Sequence, residues 1–192
     1  MMAYINATSE YRLVGQVADP VDALKLRLYV DADFAGDRQT ARSTNGGYLV
    51  LVGPNTFFPL QWVSRRQTSV RRSTTESEVV SLAHSLFSEA LPMLDLWEAV
   101  LRRPVTLEVL EDNEACIKIV RKGYSAKLRH ISRTHKVNLA LLHEQFDVEN
   151  VNLGYVGTLE QAADIFTKGL EPQKRGAALD MLNMFTEPPP LK

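Results

Sequence analysis

Three strand-forming segments follow one another between Leu24 and Val63, before any helical period begins. Leu24 to Val30 (LKLRLYV) alternates apolar with polar residues, so one side faces a core. Tyr48 to Val52 and Phe57 to Val63 read as the second and third strands, with turn signals at Asn45-Gly46-Gly47 and Gly53-Pro54-Asn55. Three antiparallel strands in a row are predicted. The period then changes. Ser73-Thr74-Thr75-Glu76 fits a capping box in which Glu76 reaches back to the cap, and Val79, Leu82, Ala83, Leu86, Phe87 and Ala90 recur at helical spacing. Pro92 is expected to kink or end that helix, with Met93 to Leu101 continuing in a new direction. Pro104 to Leu110 is a fourth strand, and Glu114 to Arg121 a short helix closed by Gly123. Ser132 to Gln145 reads as a further helix, Val148 to Val156 as a fifth strand, and Thr158 to Lys168 as a helix capped by Thr158. The order predicts an α/β fold with a mixed five-stranded sheet and helices on both faces.

The chain has 192 residues, enough for one domain of about 150 residues and a tail. Its 45% hydrophobic content is enough for a sizeable core. The single cysteine, Cys116, excludes an internal disulfide, fits a reducing compartment and reads as core. No apolar run approaches the roughly 20 residues that span a bilayer, so no membrane partner is expected. Met1-Met2-Ala3 is not followed by a basic and apolar signal region, and a cytoplasmic location is expected. The tail from Glu187, with Pro188, Pro189 and Pro190, is expected to be disordered.

Acidic residues stand where these segments meet: Asp31 and Asp33, Glu76 and Glu78, Glu111 and Asp112, and Asp164. Oxygen ligands without histidine or thiolate partners suit hard divalent cations, Mg²⁺ before Zn²⁺. Each acid also has a structural reading. Asp33 is a second ligand or, preferably, a turn residue. Glu76 is accounted for by the capping box, which leaves Glu78 as the better ligand. Asp112 or Asn113 caps the helix from Glu114. Asp164 is an odd choice within a helix, among Ala163, Ile165 and Phe166. Basic residues crowd nearby at Arg65, Arg66, Arg71 and Arg72, and again from Lys118 to Lys136. They are either solvated faces or ground for a phosphate backbone.

The order of acids and elements resembles ribonuclease H. The local phrases resemble the ribonuclease H domain that closes the Pol polyprotein of copia-type long-terminal-repeat retrotransposons. That family carries a phrase close to "DADWAGD", matched by Asp31 to Asp37 with Phe34 in place of tryptophan. Its "RKSTSGY" is loosely matched by Ala41 to Tyr48, and its "WSSKKQ" by Trp62 to Gln67. Its "SSTEAEY" is matched by Ser73 to Val79, with valine for tyrosine, and its "DNQSAI" by Asp112 to Ile117. "KHI" matches Arg129-His130-Ile131, and "ADIFTK" matches Ala163 to Lys168 without change.

The resemblance runs from about Tyr29 to Leu170 and implies a ribonuclease H-like fold for residues 21–170. Residues 1–20 would be the end of a reverse-transcriptase region, and 171–192 a C-terminal tail. It implies Asp31, Glu78, Asp112 and Asp164 as catalytic residues holding two Mg²⁺ ions, for which Mn²⁺ can substitute. The reaction implied is hydrolysis of the RNA strand of RNA·DNA hybrids during reverse transcription. Ser43, Thr44, Gln67 and Asn113 are candidate contacts to the hybrid, and Arg65, Arg66, Arg71 and Arg72 would grip its DNA strand. Asp33, Glu76 and His130 are candidate supporting residues, and His130 and His135 are candidate general acids. The reverse-transcriptase domain of the same polyprotein is an expected partner, within a virus-like particle if the element is active. The histidine that precedes the last aspartate in cellular ribonucleases H is absent from Tyr155-Val156-Gly157-Thr158. Rival readings are an inactive domain of this fold that binds nucleic acid or supports a reverse transcriptase, an integrase-like or resolvase-like nuclease, and a structural tether.

Overall fold

The computed structural model describes residues 6, 8–34, 42–68, 70 and 72–187. A two-residue strand, β1 (Arg12–Leu13), precedes the main sheet. Strands β2 (Lys25–Ala32), β3 (Thr44–Val52) and β4 (Phe57–Arg66) pair antiparallel, as the alternation predicts. Strands β5 (Leu107–Glu111) and β6 (Val151–Tyr155) add parallel to β2, giving the order β4-β3-β2-β5-β6. The register pairs Val30 with Glu111 and Asp31 with Gly46, so β2 and β5 end side by side.

One face of the sheet is covered by helices. Helix α1 (Thr74–Ser85) starts where Ser73 Oγ accepts the Glu76 amide, as the sequence predicts. The carboxylate of Glu76 takes the amide of Arg72 rather than that of the cap. A π-helical turn, Leu86–Ala90, leads into α2 (Leu91–Leu101), with Pro92 in the first turn. The helical path thus continues through Pro92. Its missing N–H falls where a new first turn leaves amides unpaired. Helix α3 (Glu114–Lys122) is capped by Asn113 and closed by left-handed Gly123. Leu26, Leu28, Val30, Leu107 and Val109 meet Val79, Leu82, Leu86, Cys116 and Val120 in the larger core.

Two predicted helices are not continuous. The stretch from Ser132 to Gln145 divides into α4 (Ile131–Thr134) and α5 (Leu139–Glu144). Lys136 adopts φ 59°, which a helix cannot carry, and Asn138 starts α5 by accepting from Ala140 and Leu141. The stretch from Thr158 to Lys168 forms two 3₁₀ turns, Thr158–Glu160 and Asp164–Phe166. Between them Gln161 leaves helical geometry, and its side chain donates to the Val30 carbonyl at 2.8 Å. Thr158 is not a cap; its hydroxyl donates to Asp112 at 3.0 Å.

Asn45-Gly46-Gly47 is also not a turn, for it lies inside β3. Its glycines serve close approach. A Cβ on Gly46 would lie 2.5 Å from Thr167 Cγ2 and 2.9 Å from the Ala163 carbonyl. The turn carrying Asp164 therefore sits directly on β3.

The C-terminal segment completes the other face. Helix α6 (Pro172–Met181) and strand β7 (Met184–Phe185) cover Tyr48, Val50 and Val52 together with Ala162, Ile165 and Phe166. β7 pairs with β1, and the Val14 amide donates to Asn183. The segment from Glu171 to Phe185 is thus built into the fold. The proline run from Pro188 lies outside the described residues. The buried Tyr48 hydroxyl donates to the Leu182 carbonyl at 2.8 Å. Tyr48→Phe is expected to lower stability by about 1–2 kcal/mol in urea unfolding, since Leu182 loses its donor. A chain ending at Gly169 should lose its cooperative transition.

Candidate active site

Asp31 is the penultimate residue of β2 and is buried, with 1% of its surface exposed. By strand alternation it shares a face with Tyr29, on the side covered by the C-terminal turns. Its carboxylate accepts from the Thr167 hydroxyl and lies 3.4 Å from the Lys168 ammonium. Lys168 also pairs with Asp164, one helical turn earlier, at 2.7 Å. Asp112 follows β5 and stands at the sheet's end. Glu78, on α1, and Glu111, the last residue of β5, occupy the helix side; Glu111 continues the inward face of Leu107 and Val109.

Among the described residues two groups of acids bring ligand atoms within 4.8 Å of one another: Asp31, Asp112 and Asp164, and Glu78, Glu111 and Asp112. Asp31, Glu78 and Asp112 line a cleft of about 1090 Å³, together with Asp33, Phe34, Thr44, Arg66, Asn113 and Lys168 among others. Two buried carboxylate oxygens of the second group, Glu78 Oε2 and Glu111 Oε2, have no hydrogen-bond partner. The donor set is all oxygen, which suits a hard divalent cation.

No family model matches the chain. In sequence it is similar to the retrovirus-related Pol polyprotein from transposon RE1 of Arabidopsis thaliana. The two are 29% identical over 150 residues, 78% of this chain and 10% of that polyprotein. It is likewise similar to the Pol polyprotein from transposon TNT 1-94 of Nicotiana tabacum, 25% identical over 187 residues, 97% of this chain and 13% of the other. The chain spans about a tenth of the length of these curated relatives. Among solved structures, LC11-RNase H1, isolated from compost by a metagenomic approach, gives a TM-score of 0.50 at 15% identity, over 74% of this chain and 92% of that one. The same enzyme in complex with an RNA/DNA hybrid gives 0.50 at 16%, over 74% and 94%.

The chain has a ribonuclease H fold, and its sequence kinship is with retrotransposon Pol polyproteins.

Of the four expected acids, Asp31, Glu78 and Asp112 line this cleft, while Asp164 is outside its lining and adjoins Asp31 and Asp112. Asp33 lines the cleft and accepts the Thr44 amide at 2.6 Å, joining the end of β2 to the start of β3. Asn113 lines the cleft, but its side-chain oxygen is engaged in capping Cys116. Thr44 and Arg66 line the cleft, while Arg65 lies in a neighbouring pocket with Lys136. Ser43 and Gln67 are buried; the Gln67 amide donates to Asn45 and to the Ser77 carbonyl, so neither side chain faces the cleft. Arg72 is exposed and holds Glu76 through its backbone. Arg71 lies outside the described residues. His130 and His135 both turn Nε2 to Glu76, at 3.2 and 3.0 Å, away from the cleft. Burial works against the charge on Glu76, but the Arg72 amide and the two imidazoles hold its carboxyl below the usual range.

Three residues of the site carry no expectation from their motifs: Thr167, Lys168 and Glu111. The first two close the ADIFTK phrase and hold Asp31. Glu111 has a signal of its own, since LEVLE alternates and puts an acid on the apolar face.

The acids are strained by their surroundings. Burial raises the Asp31 carboxyl to about 6 against the pull of Thr167 and Lys168. Burial, with the charges of Glu111, Asp31 and Asp112, raises Glu78 to about 10. Burial also pushes Glu111 well above the usual carboxylate range, against the Asn113 amide. The folded chain therefore retains protons that the unfolded chain gives up. The contribution of these acids to stability without metal is full below about pH 4, is lost for Asp31 as pH rises through about 6, and for Glu78 goes on falling toward about 10. In EDTA, Tm is expected to drop steadily from about pH 5 to about pH 9. Millimolar Mg²⁺ should flatten that drop by binding the ionised acids. A flat profile in EDTA would contradict this electrostatic picture.

Proposed function

We propose that the chain is a metal-dependent endonuclease that hydrolyses the RNA strand of RNA·DNA hybrids, as part of a retrotransposon Pol polyprotein. The observation that carries this reading is the pair of acid groups joined through Asp112, with Asp31, Glu78 and Asp112 lining the cleft, Asp164 adjoining Asp31 and Asp112, and buried carboxylate oxygens lacking partners. Mg²⁺, with Mn²⁺ as substitute, would be held by Asp31, Asp112 and Asp164 and by Glu78 with Asp112. Bound there, such ions supply an activated water and stabilise the leaving 3′ oxygen.

The chain's own residues do the rest. Thr167 and Lys168 fix the Asp31 carboxylate and Thr158 steadies Asp112, so the acids meet a substrate without rearranging. Arg66 and Thr44 line the cleft; Arg66 would offer the phosphate backbone a cation and Thr44 would contact a 2′-hydroxyl. The choice of hybrid over other nucleic acids is supported by the kinship with Pol polyproteins and by the solved relative bound to an RNA/DNA hybrid. No histidine lines the cleft among the described residues, so slow turnover is expected. The nuclease would run from residue 21 through Phe185, since Glu171 to Phe185 is built into the fold, and residues 1–20 would be the end of a preceding reverse-transcriptase region, the expected partner.

Cleavage of a labelled hybrid, with duplex DNA and duplex RNA as controls, tests the proposal. Cleavage should need Mg²⁺ and stop in EDTA. Asp31→Asn and Asp112→Asn should each cut the rate by about a hundredfold or more while leaving the fold intact. Wild-type cleavage by Asp31→Asn protein sinks the assignment. Arg66→Ala should weaken hybrid binding at low salt and flatten the salt dependence by roughly one unit.

A further inference from the structure

The acids form two groups, and one of them contains a residue beyond the four that the motifs pick out. Glu111 is fully buried at the end of β5. Its Oε1 accepts the Asn113 amide at 3.1 Å, and its Oε2 has no partner. Glu78 faces it from α1, 3% exposed, and its Oε2 is also unpartnered. Asp112 completes the group, with all three ligand atoms within 4.8 Å. The other group has a cation already, since Lys168 pairs with Asp31 and Asp164. No cation pairs with Glu78 or Glu111 among the described residues.

A carboxylate kept for structure alone, deep in a core, has its oxygens hydrogen-bonded, because an unpaired buried charge is costly. Two glutamates turned toward one another with an idle oxygen each fit a site that lacks its positive charge. Leucine or valine would continue the LEVL pattern at this position at no such cost. Glu78 and Asp112 line the cleft, whereas Glu111 lies behind them. A cation between them would have Glu111 as the floor of its pocket.

We propose that Glu111 is a cation ligand. Glu78, Glu111 and Asp112 form a second, deeper pocket for a divalent cation on the helix side of the sheet, sharing Asp112 with the first group. With carboxylate oxygens only, it takes Mg²⁺ or Mn²⁺ rather than Zn²⁺. Glu111 fixes how readily this pocket fills. The inference rests on the metal-dependent reading above and adds to it the residue that governs the second ion.

The test uses the full chain without nucleic acid. Mn²⁺ binding is counted by the electron paramagnetic resonance signal of unbound Mn²⁺, and Mg²⁺ binding by calorimetry. The wild-type chain should take two ions. Glu111→Gln should lose one of them or bind it about tenfold or more weakly, and keep the other. Asp164→Asn should affect the other ion instead. Without metal, Glu111→Gln protein should melt higher than wild type, because the crowding of the acids Glu78, Glu111 and Asp112 is relieved, and should gain less from Mn²⁺. If Glu111→Gln does not fold, Glu111→Leu takes its place in the same measurements. Two ions bound by the Glu111 variant at wild-type affinity overturn the inference. So does a lower melting point without metal joined to an unchanged gain from Mn²⁺, which is the signature of a structural acid. Hybrid cleavage by wild type, read in parallel, separates the two proposals. Cleavage with an unchanged ion count in the variant overturns the role of Glu111 alone. Two ions without cleavage, with one lost in the variant, support the pocket and overturn the nuclease. A wild-type chain that binds one ion or none overturns the pocket.

Discussion

The end of β2 is held from both sides of the sheet. The Ser81 hydroxyl of α1 donates to the Asp31 carbonyl at 2.8 Å, and from the opposite face the Gln161 amide donates to the Val30 carbonyl at 2.8 Å. Thr167 and Lys168 then seize the Asp31 side chain itself. Because β2 is the central strand, with β3 on one flank and β5 on the other, its end is a fixed reference for everything that approaches it. Asp112 arrives from β5 and Glu78 from α1. Asp164 arrives on a turn seated on Gly46 of β3. Each acid comes from a different element, and each element is positioned against this one strand end.

Such a centre works against its own fold. Acids packed this closely in a buried place favour their neutral forms, and the chain offsets only part of that with Lys168 and a few hydroxyl and amide donors. The remainder is what gives an ion its hold, since charge that the protein does not compensate is available to a ligand. Helices α1 and α3 and the long antiparallel ladder supply the packing that tolerates it.

Much of this was legible in the residues. Strand alternation and the capping box gave the three-stranded start and α1, because those elements are amphipathic and locally capped. Asp31, Glu78, Asp112 and Asp164 stood out by their places at element ends and by the phrases around them. What escaped has common physical causes. Gly46 and Gly47 carry the usual mark of a turn, yet here they make room for a neighbouring chain. The break at Lys136 depends on a left-handed residue with no glycine to announce it. The turns from Thr158 to Lys168 are shaped by Gln161 reaching to another strand, which no local pattern encodes. Ser43 and Gln67 look like polar contacts for a ligand until burial shows them turned inward. Glu111 hides because an acid beside a more familiar acid draws no notice, although its place on an apolar face is the stranger of the two.

The short ladder between β1 and β7 bears on how the domain responds to force. Arg12 pairs with Phe185 and Leu13 with Met184, so the ladder joins a segment near the start of the described chain to one near its end. Tension applied along the chain from both directions opens such an antiparallel clasp one pair at a time, beginning at Arg12 and Phe185. The load reaches Asn183 and the cover over Tyr48 only after the clasp has parted. The ladder parts first, and the N-terminal pull then passes through Gln16 to Phe57 on the edge strand of the main sheet.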